Sequence, residues 1–333
     1  MEKEKDYFNL MENPFLLDIE DKPEYTNEEL EHIQTLLQNK YIDYIVEEGY
    51  NEDFKWPFHH VRDRCTKGLC YNQKLIDKPN NILPTKVLYK VGNGGNGKNC
   101  LVCYSHLNTN RCNFSKTILQ SLEEVGFNGY FYLFNGGFPN PTGTEMKYAG
   151  VPYSFKVFAI LEAHNQGFEK VIWIDAACYA VNNPQRLFDM LDKNNVIFRW
   201  FYPNQFETEP GKISYDREVL PQTLELLIKL TGRDVRNDFC VNSIVFGLNL
   251  TLDIIRDFIA EYYEMVKLGL PFLSTYPEET VFATIFNKPK YKHVFNYNDD
   301  EINRLYINEH YLDKTQAKFE GFFFLQRRYI DCN

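Results

Sequence analysis

Between residues 86 and 250, short apolar runs alternate with longer stretches whose apolar positions recur every three to four residues. Leu101–Tyr104, Tyr130–Phe134, Val171–Ile174 and Val196–Phe198 are the runs, and Val87–Tyr89 reads as a further strand. Val171-Ile172-Trp173-Ile174 shows no polar alternation, as expected of a strand covered on both faces. The intervening stretches predict helices. One covers Phe114–Val125, with Asn113 as N-cap and Gly126 as stop. A second follows Tyr153, where Val157, Ile160, Leu161 and His164 share one face and Gly167 sits at the C-cap. A third opens at Asn183-Pro184. This β-α-β-α-β rhythm predicts an α/β fold with a mainly parallel sheet, right-handed crossovers and flanking helices. Residues 251–268 and 278–287 read as helices before the aromatic tail Gly321–Phe324. The first 85 residues, with one helical pattern at 27–48, form an N-terminal extension of no evident role, and residues 86–333 form the main domain.

Composition narrows the class. The chain is 333 residues long, 44% hydrophobic and 16% aromatic, long enough for a sizeable core and too apolar for disorder. A net charge of −10 disfavours a general nucleic-acid surface. No segment reaches the length of a membrane span, and the charged start Met-Glu-Lys-Glu-Lys-Asp lacks a secretory apolar region. Eight cysteines without framework spacing read as reduced thiols, so a cytoplasmic location is expected and the sequons at Asn113 and Asn249 should stay unmodified.

Three motifs compete for the chemistry. Gly92-Asn-Gly-Gly-Asn-Gly97-Lys98-Asn99 has the glycine and lysine spacing of a phosphate-binding loop. Asn99 replaces the hydroxyl residue, however, and a strand follows where phosphate binding needs a helix N-terminus. A glycine-rich hairpin or surface loop is the reading. His59-His60 with Cys65 and Cys70 departs from structural-zinc spacings and reads as surface histidines and part-buried thiols. Cys103 with His106 makes no convincing nucleophile and base, and no Gly-x-Ser-x-Gly elbow is present. Asp175 stands apart. It ends the apolar run Val171–Ile174, and in open α/β sheets the ligand crevice lies just beyond the carboxyl ends of such strands. Its bland alternative is a helix cap or ion-pair partner.

The order of strands and helices ending on Asp175 resembles a glycosyltransferase of the GT-A fold, over about residues 98–300. There an Asp-x-Asp motif closes the nucleotide-binding half, its first acid contacting the nucleotide-sugar and its second holding a divalent metal. Val241–Asn249 is similar to the Phe-Asn-Ser-Gly-Val-Met strand of glycogenin-like and lipopolysaccharide galactosyltransferase-like enzymes. Pro277–Phe282 takes the place of their Asp-Gln segment, and His293 that of a late metal-binding histidine. The resemblance implies a nucleotide-sugar donor, a glycan or protein acceptor, and Mn2+ or Mg2+ on Asp175 and His293. It also implies that Ser105, His106 and Asn108 hold base and ribose, and that Asn242, Glu278 and Glu279 face the acceptor.

Here Asp175-Ala176-Ala177 lacks the second carboxylate. The charge of a leaving diphosphate then falls to a weakly held metal or to cations, for which Lys156 and Arg199 are the candidates. Their alternatives are a solvated helix lysine and a strand-end surface charge, and for His293 a satisfied histidine. The glutamates could equally be ordinary helix-opening acids. Aromatics suit sugar faces but also simply fill cores. The competing class is a non-catalytic glycan- or protein-binding module on the same scaffold.

Overall fold

The computed structural model describes residues 13, 15–33, 35–36, 85–105, 112–135, 138–201, 219, 221–236, 238–274, 276–291, 293–294 and 301–327. The main sheet contains β1 (Thr85–Val91), β2 (Asn99–Ser105), β3 (Gly129–Asn135), β4 (Lys170–Ile174), β6 (Val196–Phe201) and β7 (Cys240–Asn249), in the order β1-β3-β2-β4-β7-β6. A small second sheet, β5-β9-β8, joins β5 (Cys178–Ala180) to β8 (Tyr306–Asn308) and β9 (Phe324–Gln326). The α/β class is as the sequence implies, but the sheet is mixed. β2, β3, β4 and β6 run one way, while β1 at the edge and β7 between β4 and β6 run the other.

The helices explain that pattern. α1 (Cys112–Glu124), α2 (Phe155–Asn165) and α3 (Gln185–Asn194) supply the crossovers that co-directional strands require. β1 reaches β2 through the glycine loop alone, so the two run oppositely; β1 nonetheless pairs with β3 rather than β2. The loop is thus a strap across the start of β3, not a hairpin. A Cβ on Gly95, at φ +57°, would lie 2.6 Å from the Asn128 carbonyl oxygen. Only glycine permits that approach.

Residues on β4 alternate between two cores. Val171 and Trp173 face one that includes α2, α5 (Asp253–Leu268) and α6 (Pro277–Phe286). Ile172 and Ile174 face the other, with α1 and α3. α4 (Pro221–Thr231) was not evident in the sequence pattern. α2 departs from its expected amphipathic character. Eight of its eleven residues are buried, Lys156 and Glu162 among them, while His164 is exposed and bonds the Phe168 carbonyl at 2.7 Å. The loop at 138–151 covers what would have been the outer side. Phe138 meets Phe158 edge-on, and the Asn140 amide donates to Glu162 at 2.9 Å. Residues 13 and 15–33 lie against that loop and bury Phe15, Leu17 and Ile33 in the same core. The described part of the N-terminal extension is therefore built into the main domain. The expected helix at 27–48 is present at 27–33 and 35–36; its remainder lies outside the described residues.

The last region carries the two expected helices, α5 and α6, and more. Besides α7 (Lys314–Phe319) it carries β8 and β9; β9 pairs with β5 just after Asp175, and β8 pairs with β9. No helix among the described residues is long and apolar enough to cross a membrane. Asn249 is buried and accepts from the Thr251 hydroxyl at 2.7 Å, which closes that sequon to modification in the folded chain.

Candidate active site

The carboxyl ends of β2, β3, β4 and β6 and the start of β7 share one edge of the sheet, and Asp175 stands at its centre. Its backbone is fixed on both sides: its amide donates to the Ile244 carbonyl and its carbonyl accepts from the Cys178 amide, each at 2.9 Å. Its Oδ1 accepts from the Trp173 indole at 2.7 Å and lies 3.2 Å from the Lys156 ammonium. Among the described residues nothing engages Oδ2, and 30% of the side chain stays open. Burial, against the pull of Lys156, holds this carboxyl above its ordinary range.

Lys156 sits in the first turn of α2 and is 4% exposed. Besides Asp175 it meets Glu278 Oε1 at 2.8 Å, the Ser243 carbonyl at 3.1 Å and the Ser243 hydroxyl at 3.0 Å. Its ammonium also lies 5.5 Å from the Trp173 ring and 5.9 Å from the Tyr153 ring. Tyr153 adopts φ +58°, a strained value for a bulky residue. Burial opposes the lysine charge, but Asp175 and Glu278 outweigh it and hold the ammonium firmly protonated.

Glu278 and Glu279 occupy the first turn of α6 behind Pro277, a position that suits both the proline ring and negative charge. Glu278 Oε1 accepts the Ser243 hydroxyl at 2.7 Å. Glu279 Oε1 accepts the Ser243 amide at 2.8 Å and its hydroxyl at 3.1 Å, and Glu279 is half-buried. Burial first and the neighbouring Glu278 second push the Glu279 carboxyl up to about 8.

A bulge in β7 makes these meetings possible. The register with β6 jumps from Phe198 opposite Phe246 to Arg199 opposite Asn242. The extra residues let Ser243 face α2 and α6, and a bulge is a usual device for re-aiming a side chain at a site. Asn242 shapes it locally, its Oδ1 accepting the Ile244 amide at 3.0 Å. Arg199 lies half-buried just past the shift, its guanidinium 5.4 Å from the Tyr306 ring centroid. Tyr306 in turn lies within the electrostatic reach of Glu279 and Cys178, and burial raises its phenol.

Of the residues singled out in the sequence, Asp175 and Glu278 pair directly with Lys156, and Glu279 joins them through Ser243. Asn242 and Arg199 flank them. Ser105 is buried at the end of β2 opposite Asn135. His106 and Asn108 lie outside the described residues, as do His59, His60, Cys65 and Cys70. His293 is exposed, seven residues past the C-terminal end of α6, whereas Glu278 and Glu279 open that helix. Among the described residues the side chains that contact Asp175 are Trp173 and Lys156, and His293 is not one of them. The residues that sequence reasoning missed are Trp173 as indole donor, Ser243 as hub, and Tyr306. Ser243 sat within the Asn242-Ser243 motif and was the one legible signal among them.

The divalent metal implied by the resemblance does not fit this donor set. Position 177 is alanine, Asp175 Oδ1 already faces an ammonium, and the exposed His293 makes no contact with Asp175 among the described residues. Among the described residues no group of three acids, histidines or cysteines suits a metal ion. The glycine loop lies at the other end of the strands. Its amides are engaged internally: Asn93 donates to Asn128, Gly95 to Asn93 and Lys98 to Asn96, at 3.1, 2.9 and 2.9 Å. Lys98 pairs with Glu169 at 2.7 Å.

No family model and no curated protein matches this chain. Among solved structures it is similar to mouse xyloside xylosyltransferase 1 in its apo form, with 14% sequence identity and a TM-score of 0.38, over 68% of this chain and 96% of that one. At that score the likeness decides nothing about chemistry.

Proposed function

We propose that this chain moves a sugar from a nucleotide-sugar donor to an acceptor hydroxyl on a glycan or protein. The observation that carries the reading is Asp175: a carboxylate at the carboxyl end of an interior strand, oriented through one oxygen and open at the other. Asp175 Oδ2 faces the donor sugar, as a hydrogen-bond acceptor for its hydroxyls and as a negative charge beside the anomeric carbon. In the transfer the bond from that carbon to the diphosphate oxygen breaks and its electron pair leaves with the diphosphate. The acceptor oxygen forms the new bond and its proton passes to Glu279. A carboxyl pushed up to about 8 is well matched to that proton near neutral pH. Lys156 pairs with Asp175 and Glu278 and holds them in place, and Trp173 fixes the plane of the Asp175 carboxylate. In this reading the nucleoside lies against the ends of β2 and β3, where Ser105 and Asn135 stand side by side.

A panel of sugar nucleotides tests this. Any that binds the native state raises the melting temperature by mass action, and slow hydrolysis of the same compound identifies it as a donor. The reading fails if no sugar nucleotide stabilises the full chain with or without manganese.

A further inference from the structure

The charges at the carboxyl ends of the central strands fall into two poles. Asp175 at the end of β4, Glu278 and Glu279 at the start of α6 and Lys156 at the start of α2 form one pole, and the lysine nitrogen occupies the position beside Asp175 Oδ1 that a cation would take. A divalent ion approaching Asp175 would meet a fixed ammonium that cannot withdraw, because Lys156 is 4% exposed and bonded to Ser243 and Glu278. Lys156 is equally unfit to receive a diphosphate, since its own carboxylates surround it. The other pole is Arg199. Arg186, Arg233, Arg236 and Arg256 each pair with a carboxylate. Among the described residues Arg199 pairs with none, and its guanidinium rests over the Tyr306 ring. Arg199 also hydrogen-bonds the Tyr306 phenol, which Glu279 reaches electrostatically, and it pairs in register with Asn242, next to Ser243 of the acid cluster.

We propose that Arg199, seated on Tyr306, is the diphosphate-binding cation of this site, and that donor binding needs no divalent metal. The inference rests on the nucleotide-sugar reading given above. A guanidinium presents a planar fork to phosphate oxygens, stays charged at every working pH, and stacks on an aromatic face, all of which this position uses. When the sugar–oxygen bond breaks, the electron pair stays with the diphosphate, and the added charge develops toward Arg199 and away from Asp175.

The experiment measures binding of inorganic pyrophosphate, and of whichever sugar nucleotide stabilises the wild type, in excess EDTA and again with manganese. Wild type, Arg199→Gln and Arg199→Lys are compared. The proposal expects wild-type binding in EDTA that manganese does not tighten, a loss of at least tenfold in Arg199→Gln, and partial recovery in Arg199→Lys. Binding by the wild type only with manganese, or equal affinity in wild type and Arg199→Gln, overturns the proposal and leaves the transferase reading standing. Absence of any sugar-nucleotide binding by the wild type in either condition removes that reading instead. Tyr306→Phe, which keeps the ring, should retain pyrophosphate affinity within about threefold. A loss as large as that of Arg199→Gln would move the anion contact from Arg199 to the phenol and contradict the proposal.

Discussion

The glycine loop and the acid cluster occupy opposite ends of the same parallel strands, and both look like ligand sites in the sequence. At the loop end, asparagine side chains of the loop and of Asn128 take up the backbone amides, and Lys98 pairs with Glu169 across the surface. At the cluster end the polar groups are just as dense but incompletely satisfied. Asp175 Oδ2 and the half-buried Glu279 remain available. The difference teaches that strand direction and leftover hydrogen-bonding capacity, more than motif spelling, mark where a ligand can bind.

Mutations at the two ends should therefore behave oppositely. The largest effect is expected for Lys156→Met. It leaves Glu278, 7% exposed, without its counter-ion and Asp175 without one of its two anchors. Breaking a buried pair from one side costs about 3–5 kcal/mol. Urea melts should show that loss, and a loss under about 1 kcal/mol would mean that the cluster is solvated and not locked.

Asp175→Asn should separate chemistry from folding. The amide oxygen can still accept from Trp173, so stability should change by about 1 kcal/mol or less. Donor turnover should fall by about 10²–10³-fold, the scale set by removing one group aimed at developing charge. Equal turnover at equal stability would reduce Asp175 to a structural ion-pair partner.

At the loop end the order reverses. Gly95→Ala must place a Cβ 2.6 Å from the Asn128 carbonyl oxygen, at a φ of +57°. It should destabilise by about 1–3 kcal/mol with donor affinity unchanged. Lys98→Ala removes an exposed pair and should shift stability by less than about 1 kcal/mol. Its donor affinity should stay within about twofold, or roughly 0.4 kcal/mol. A tenfold loss of affinity in either variant would restore the loop as a phosphate site.

How much of this was legible beforehand follows from the range of the forces involved. The unbroken run Val171–Ile174 gave an interior strand, and its final Asp175 gave the site, because burial on both faces leaves a local trace. The mixed pairing left none, since β7 is inserted beside β4 by contacts far apart in sequence. Lys156 read as solvated or as a phosphate ligand, yet it is locked by residues 19, 87 and 122 positions away. The bulge that turns Ser243 inward depends on a side chain, Asn242, whose local bond to Ile244 has no distinctive spelling. His293 was assigned by its order along the chain alone, and it stands exposed in the turn after α6.

The most direct test of the account is the pH dependence of donor turnover in wild type and Glu279→Gln. The raised Glu279 carboxyl must lose its proton to act as a base, so wild-type turnover should climb as pH rises through about 8 and then level off. Folding linkage has the opposite sign. A carboxyl raised in the native state holds a proton that the unfolded chain releases, so this group's contribution to stability falls between its ordinary value and about 8. Melting temperatures taken at each pH therefore keep the two effects apart. The account predicts a low, flat profile for Glu279→Gln beside the rising wild type. A wild-type profile already flat from pH 6 to 9, or a variant that keeps the rise, would contradict it.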